Sequence, residues 1–341
     1  MRRHRTTAQS LAQDRNPRAR IPVARTPSQG LTQDRNRQTR IPVARTRSKA
    51  AAARPRWIAL SLLVAGLAAG AAASPSSGGP QAVPRLVFPL VAETDLWDNY
   101  GDPRGNGSHA GIDMENPWRA PVVAAEAGKV SYATSGLGGC MLYLYGRSGT
   151  MYMYIHLNND RTARNDNRGG CVKDVTYAVP DGARVSAGEQ VAWNGDSGDA
   201  NGNPHLHFEV HPGGGADANP FPHLKRALRP LFTARPGSAF SLGLRGTLVG
   251  ASATTVELQV DRVRHYPGGS WLRVPARTVE LAVPADAVVP AGLLGDIAGV
   301  TRRGFKTSVP VTAFTLTAKT TTDAILGSPG VLRLGRLAQT R

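Results

Sequence analysis

His205-Leu206-His207-Phe208-Glu209-Val210 is the stretch on which the reading of this chain turns. Polar and apolar residues alternate through it, the pattern of a half-buried strand. On such a strand His205 and His207 point to one side while Leu206 and Phe208 point to the other. Two imidazoles on a polar face, with apolar residues behind them, make a good metal-site arrangement. The same period applies to Ser108-His109-Ala110-Gly111-Ile112-Asp113. Extended, that segment turns His109 and Asp113 to one face, and Gly111 between them leaves the face clear of side chain. A third segment, Tyr154-Ile155-His156-Leu157, ends an apolar strand in a histidine.

Around these segments the chain is a succession of short β-type runs broken by Gly, Pro and Asn. Pro121–Ala125, Gly128–Tyr132, Met141–Tyr145, Met151–Leu157 and Leu206–Val210 are examples. No stretch carries a long helical period, so an antiparallel β domain is expected over 85–222. Residues 158–178 form a polar excursion longer than a usual hairpin loop, expected to line or cover a groove.

Two histidines and one carboxylate form the ligand set of a catalytic zinc, with a fourth position left for water. Nitrogen donors argue against calcium and magnesium, which take oxygen ligands. The histidines not used as ligands can move the proton of the attacking water and stabilise the oxyanion or leaving amine. A lone His-x-x-x-Asp arises by chance, and a lone strand histidine is more often a satisfied core residue. The combination in this order is specific. His211 could share the face of His207, but the turn-like Pro-Gly-Gly-Gly after it makes it a non-ligand, and the isolated His4, His223 and His265 are read the same way.

From about Val87 to Pro220 the chain resembles the lysostaphin/LytM-type zinc endopeptidases of bacterial peptidoglycan. Tyr100-Gly101-Asp102-Pro103-Arg104, His109-x-Gly111-x-Asp113 and Ala120–Ala124 carry the resemblance, with Ala127–Val130, Tyr154–Leu157, Val185–Val191, Gly195–Gly198 and His205–Val210. It implies an open antiparallel sheet with a groove over the metal and one zinc ion per chain. His109, Asp113 and His207 match the ligands, and His156 and His205 match the two catalytic histidines beside it. The implied substrates are stem peptides or cross-links of peptidoglycan. Trp118-Arg119 departs from the Gly-Thr turn often found there, and the 158–178 excursion is atypical in length. Some relatives have lost their ligands and act as silent activators; here all five positions are filled.

The chain has 341 residues with 41 Lys/Arg against 24 Asp/Glu, but the excess is uneven. Residues 1–56 hold 15 basic and 2 acidic side chains, leaving 26 and 22 for the rest. The high charge therefore says little about partners of the folded part, where no nucleic-acid binding is expected. The basic arm carries a two-copy repeat with a 20-residue period: Arg20-Ile21-Pro22-Val23-Ala24-Arg25-Thr26 returns as Arg40-Ile41-Pro42-Val43-Ala44-Arg45-Thr46. Too few apolar residues accompany it to offset the entropy of ordering, so 1–56 reads as disordered. Residues 57–73 then read as a signal peptide ending at Ala71-Ala72-Ala73, or as an uncleaved anchor. Contact with a membrane is expected only if they stay uncleaved, and the folded part is exported to the wall, periplasm or medium. Residues 74–84 read as a Ser/Pro/Gly linker. In an oxidising compartment Cys140 and Cys171 can pair, unpaired buried thiols being the alternative.

Residues 223–240 read as a connector. From 241 to 341 alternation returns, in Leu244–Val249, Thr255–Val260, Thr278–Val283 and 309–318. That is enough for a smaller C-terminal β domain, with an OB-like barrel as the expectation, and no catalytic constellation lies within it. The function expected is a zinc-dependent endopeptidase acting on peptidoglycan. A catalytically silent wall-binding or hydrolase-activating module on the same fold is the alternative, and a polyanion binder driven by the basic arm ranks last.

Overall fold

The computed structural model describes residues 82–105, 107–290, 293 and 309–340. The expectations for 1–56, 57–73 and most of 74–84 lie outside the described residues.

The first sheet-forming region contains β1 (Pro103–Arg104), β2 (Gly107–Ser108), β3 (Ile112–Glu115), β4 (Pro121–Val123), β5 (Gly128–Ser135), β6 (Gly139–Gly146), β7 (Met151–Leu157), β8 (Arg184–Val185), β9 (Gln190–Trp193) and β10 (His205–His211). Its main sheet is antiparallel and open, in the order β3-β10-β7-β6-β5-β8. Alternation explains its two faces. Leu206, Phe208 and Val210 of β10 turn into a core with Ile112 and Met114 of β3, Tyr152 and Tyr154 of β7, and Leu142 and Leu144 of β6. Phe208 packs edge-on against Tyr154 at 5.2 Å and parallel to Tyr152 at 6.0 Å between ring centres. The small β4–β9 sheet and the extended Leu86–Leu90 segment contribute to the same core. The other face of β10 is left for polar groups.

The 158–178 excursion is ordered by one buried carboxylate. Asp160 accepts the indole N–H of Trp118 at 3.1 Å and the backbone N–H groups of Asp166 at 2.7 Å and Asn167 at 2.6 Å. A disulfide between Cys140 and Cys171 ties the far end of the excursion to β6.

The C-terminal region is built from β11 (Ala239–Ala251), β12 (Thr255–Tyr266), β13 (Trp271–Ala282), β14 (Val309–Thr315), β15 (Ala318–Lys319) and β16 (Leu334–Gln339). Their order is β13-β12-β11-β14-β16, with β15 paired to β11. Parallel bridges Ala282–Arg333 and Val288–Arg336 bring the two outer strands toward each other, so the sheet curls around its own core. That core begins at Leu231 and Phe232, inside the stretch read as connector, because both side chains are buried there. Among the described residues no helix is long and apolar enough to cross a membrane.

The disulfide spans 31 residues. On the chain-entropy argument a bridge of that span contributes about 3–4 kcal/mol. Replacing Cys140 and Cys171 together by Ser is expected to lower the urea midpoint accordingly; an unchanged midpoint would remove the bridge as a source of stability.

Candidate metal centre

Asp113 and His207 are cross-strand partners in the β3–β10 ladder, directly opposite one another. Their neighbours in the same ladder, Leu206 with Met114 and Phe208 with Ile112, hold the register by burying their side chains on the far face. His109 lies just before β3, fixed by its own backbone: its N–H donates to the Asp102 carbonyl at 2.9 Å and its carbonyl accepts from Gly101 N–H at 2.8 Å. The result is a tight triangle. His109 Nε2 is 3.0 Å from Asp113 Oδ1 and 2.9 Å from His207 Nδ1, and His207 Nδ1 is 2.8 Å from Asp113 Oδ1. Ligand atoms about 2.0–2.1 Å from a tetrahedral zinc stand roughly 3.3 Å apart. The triangle would open by only a few tenths of an ångström to take the ion. No other group of three His, Cys, Asp or Glu side chains among the described residues is so arranged.

Hydrogen bonds set which nitrogen of each ring is free. His109 Nδ1 donates to the Asn99 carbonyl at 2.7 Å, so Nε2 is the nitrogen that faces the triangle. His207 is mounted the other way round: Nε2 donates to Glu209 Oε1 at 3.0 Å and Nδ1 faces inward. His156 Nδ1 donates to the Ser197 carbonyl at 2.9 Å, and His205 Nδ1 to the Asn203 carbonyl at 2.9 Å. Both therefore present Nε2, and His205 Nε2 comes within 3.7 Å of Asp113 Oδ1. The His156 and His205 ring centres are 4.8 Å apart. All five side chains singled out in the sequence thus meet in one cleft of about 780 Å³, whose lining also includes Leu137, Met141 and Ile155.

His156 reaches this cleft by an irregularity. Strict alternation after Tyr152 and Tyr154 would send it into the core. Instead β7 carries one extra residue against β6, since Leu142 pairs with Tyr154 but Cys140 pairs with Leu157. At the bulge His156 adopts φ +62°, the left-handed region that a non-glycine residue enters at a cost of order 1–3 kcal/mol. The bulge turns the ring out of the core and into the cleft.

Electrostatics differ among these groups. Burial lowers the pKa of His156 to about 4, so at neutral pH its ring is uncharged and Nε2 can accept a proton. Burial also disfavours charge on His207, but hydrogen bonds to Asp113 and Glu209 outweigh it and raise the pKa to about 9. Burial works against the Asp113 carboxylate too, yet the bonds from His109 and His207 hold it far below the usual range.

Two residues of the site lie in motifs quoted from the sequence but were given no role there. Arg104 donates to Asp113 Oδ2 at 2.6 Å and so orients the carboxylate from the side away from the histidines. Glu209 orients His207. The period-two pattern reaching from His207 to Glu209 and His211 could have revealed it. His211 does share that face, but its partner is Glu209, not the triangle. The 158–178 excursion does not line the cleft. It buttresses the 198–201 turn, which does: Asn167 Nδ2 donates to Asn201 Oδ1 at 2.7 Å.

Residues 107–220 match the model of peptidase family M23. Among solved structures, the catalytic domain of the antimicrobial peptidase lysostaphin from Staphylococcus simulans is 27% identical over 39% of this chain and 92% of that one, with a TM-score of 0.31. A zinc-containing peptidase from Vibrio cholerae is 24% identical over 39% of each chain, with a TM-score of 0.31. A single-substitution mutant of the catalytic domain of the prophage-encoded M23 protein EnpA from Enterococcus faecalis is 26% identical over 39% of this chain and 89% of that one, with a TM-score of 0.29. This part of the chain is similar to the lysostaphin/LytM-type M23 peptidases, as its motifs imply.

Two measurements follow from the geometry. A Cβ at Gly111 would meet the Phe208 carbonyl oxygen at 2.6 Å and His207 Nε2 at 2.7 Å. Gly111→Ala is expected to displace the His207 ring and weaken zinc binding by about 10-fold or more, on the scale of outer-sphere disruptions, as read by chelator competition; an unchanged dissociation constant would mean the ring is not held there. Second, a cation at His207 Nδ1 must displace a proton that the neighbouring carboxylates favour. Zinc affinity is expected to rise by about tenfold per pH unit below the His207 pKa of about 9, with one proton released on binding. Calorimetry in buffers of different ionisation enthalpy measures that release.

Proposed function

We propose, from the match of residues 107–220 to the model of peptidase family M23, that this protein is a zinc-dependent endopeptidase that hydrolyses peptide bonds in the stem peptides or cross-links of bacterial peptidoglycan. The observation that carries this reading is the common orientation of the four imidazoles. Each has one nitrogen anchored and the other aimed into the cleft, two of them with Asp113 in the ligand triangle and two beside it.

His109 Nε2, Asp113 Oδ1 and His207 Nδ1 would hold the zinc, which supplies Lewis acidity toward the peptide carbonyl and toward water. Arg104 keeps Asp113 from rotating. His156, neutral at pH 7 and pinned through Nδ1, is suited to take a proton from water as its oxygen adds to the carbonyl carbon. The proton taken by His156 can pass to the leaving nitrogen as the C–N bond breaks, and His205 Nε2, in the same cleft, would donate to the oxyanion when it carries a hydrogen. The two rings share these jobs across a 4.8 Å gap.

A single zinc per chain matches the single triangle found among the described residues. Export fits the disulfide, since such bonds persist in oxidising compartments. In the same reading residues 57–73 direct the chain out of the cytoplasm.

The test is incubation of protein beginning near Gly79, loaded with zinc, with isolated peptidoglycan, followed by mass spectrometry of released fragments. New peptide termini from the wild type and none from His207→Ala are expected, and the termini identify the bond cut. A folded, zinc-loaded wild type that releases nothing from several wall types would favour the silent wall-binding or activating module.

A further inference from the structure

The functional face of β10 does not stop at His207. Glu209 and His211 follow on it at two-residue spacing, and both are drawn off water. Glu209 uses its two oxygens separately. Oε1 accepts from His207 Nε2 at 3.0 Å, and Oε2 lies 2.7 Å from His211 Nε2. The remaining nitrogen of His211, Nδ1, lies 3.0 Å from the Gly215 carbonyl oxygen.

The protonation of His211 follows from its partners. A carboxylate oxygen and a carbonyl oxygen can only accept, so each nitrogen of the ring must carry a hydrogen to bond them. His211 is then an imidazolium. It is only 8% exposed, so its charge is balanced mainly by the protein. The glycine turn makes this possible: Gly213 and Gly214 take φ of +63° and +71° and bring the Gly215 carbonyl back onto the ring. The groups facing His211 act in the same direction. Glu209 on its own strand raises its pKa most, burial works against the charge, and the Gly215 carbonyl and Asp217 beyond the turn add to Glu209, so the net shift is upward. Asp217 is itself held by the Tyr100 hydroxyl at 2.7 Å.

We propose that Glu209 and an imidazolium at His211 form a positioning pair for His207, fixing the ring with Nδ1 toward the metal. The inference rests on the reading that His207 is a metal ligand. Glu209 alone would be a buried anion free to swing between rings and to draw on the His207 Nε2 proton. The positive His211 pins the second oxygen and neutralises the carboxylate. What reaches His207 is then a fixed acceptor in a locally neutral pair. Such carboxylate partners of ligand histidines set ring orientation and basicity, and losing one typically weakens metal binding about 10–100-fold.

The pair can be tested without measuring peptide cleavage. In the metal-free full chain labelled with nitrogen-15, two-bond correlations should show both His211 ring nitrogens protonated at pH 7. A neutral tautomer pattern for His211 overturns the proposal. Zinc dissociation constants from chelator competition supply the second readout. Glu209→Gln keeps an acceptor for His207 but cannot receive from an imidazolium through its amide nitrogen; about a 10-fold loss is expected, with His211 becoming neutral. Glu209→Ala should lose about 100-fold, and His211→Phe an intermediate amount, each read on protein shown to be folded by circular dichroism. Unchanged zinc affinity in Glu209→Ala and Glu209→Gln overturns the positioning role even if His211→Phe does not fold. A wild type that binds no zinc removes the metal-centre reading and this role with it. A wild type that binds zinc normally but cuts no wall peptide leaves the pair intact and removes only the endopeptidase reading.

Discussion

The cross-strand pairing of Asp113 with His207 is the constraint from which the rest of the first region follows. It sets the β3–β10 register, and a slip of one residue would turn every side chain of β10 to the opposite face. The histidines would then enter the core, and Leu206 and Phe208 the cleft. The burial of Leu206, Phe208, Ile112 and Met114 prevents that slip. At roughly 1.5–3 kcal/mol for each large apolar side chain removed from water, the four together outweigh by far what the polar triangle itself could contribute. The site is therefore positioned by the hydrophobic effect acting on the far side of the strand. The donor atoms are then tuned by hydrogen bonds to carbonyls and carboxylates on the near side.

Much of this was legible because it depends on period two. His205 and His207 share a face, His109 and Asp113 share a face, and Gly111 clears the space between them. Those relations need only extended backbone and side-chain identity. The strand content of 85–222 and of the C-terminal region was legible for the same reason. Relations that break the period were hidden. His156 was placed at a strand end, but its entry into the cleft depends on a bulge and a positive φ that no pattern of residue types announces. Arg104 reaches Asp113 from a separate hairpin. Leu231 and Phe232 belong to the second core through contacts made far along the chain, so Arg and Pro nearby made them look like linker. His211 was judged by the turn beside it. In fact that turn supplies the carbonyl that the ring needs.

The strained conformation of His156 has to be held by its surroundings. Its N–H donates to the Gly138 carbonyl at 3.1 Å, and its Nδ1 to the Ser197 carbonyl at 2.9 Å. Ser197 Oγ links the strands on either side: it donates to the Leu157 carbonyl at 2.6 Å and accepts from Cys140 N–H at 2.8 Å. Cys140 is also the β6 end of the disulfide. The bulge is thus fastened where the covalent bridge enters the sheet.

This arrangement gives the two departures from the lysostaphin/LytM pattern a single physical meaning. Trp118 donates to the Asp160 carboxylate, and Arg119 stacks on Trp118 at 4.6 Å while donating to the Asp160 carbonyl. A Gly-Thr turn at this position could make neither contact. Asp160 in turn gathers the backbone of 166–167, so that Asn165 meets Asp196 and Asn167 meets Asn201. The changed turn and the long excursion are therefore one brace, closed at its other end by Cys171. It carries load to both ends of the 196–201 segment, whose carbonyl at Ser197 aims His156 and whose residues 199–201 form part of the cleft lining. The excursion shapes the cleft by holding its rim from behind.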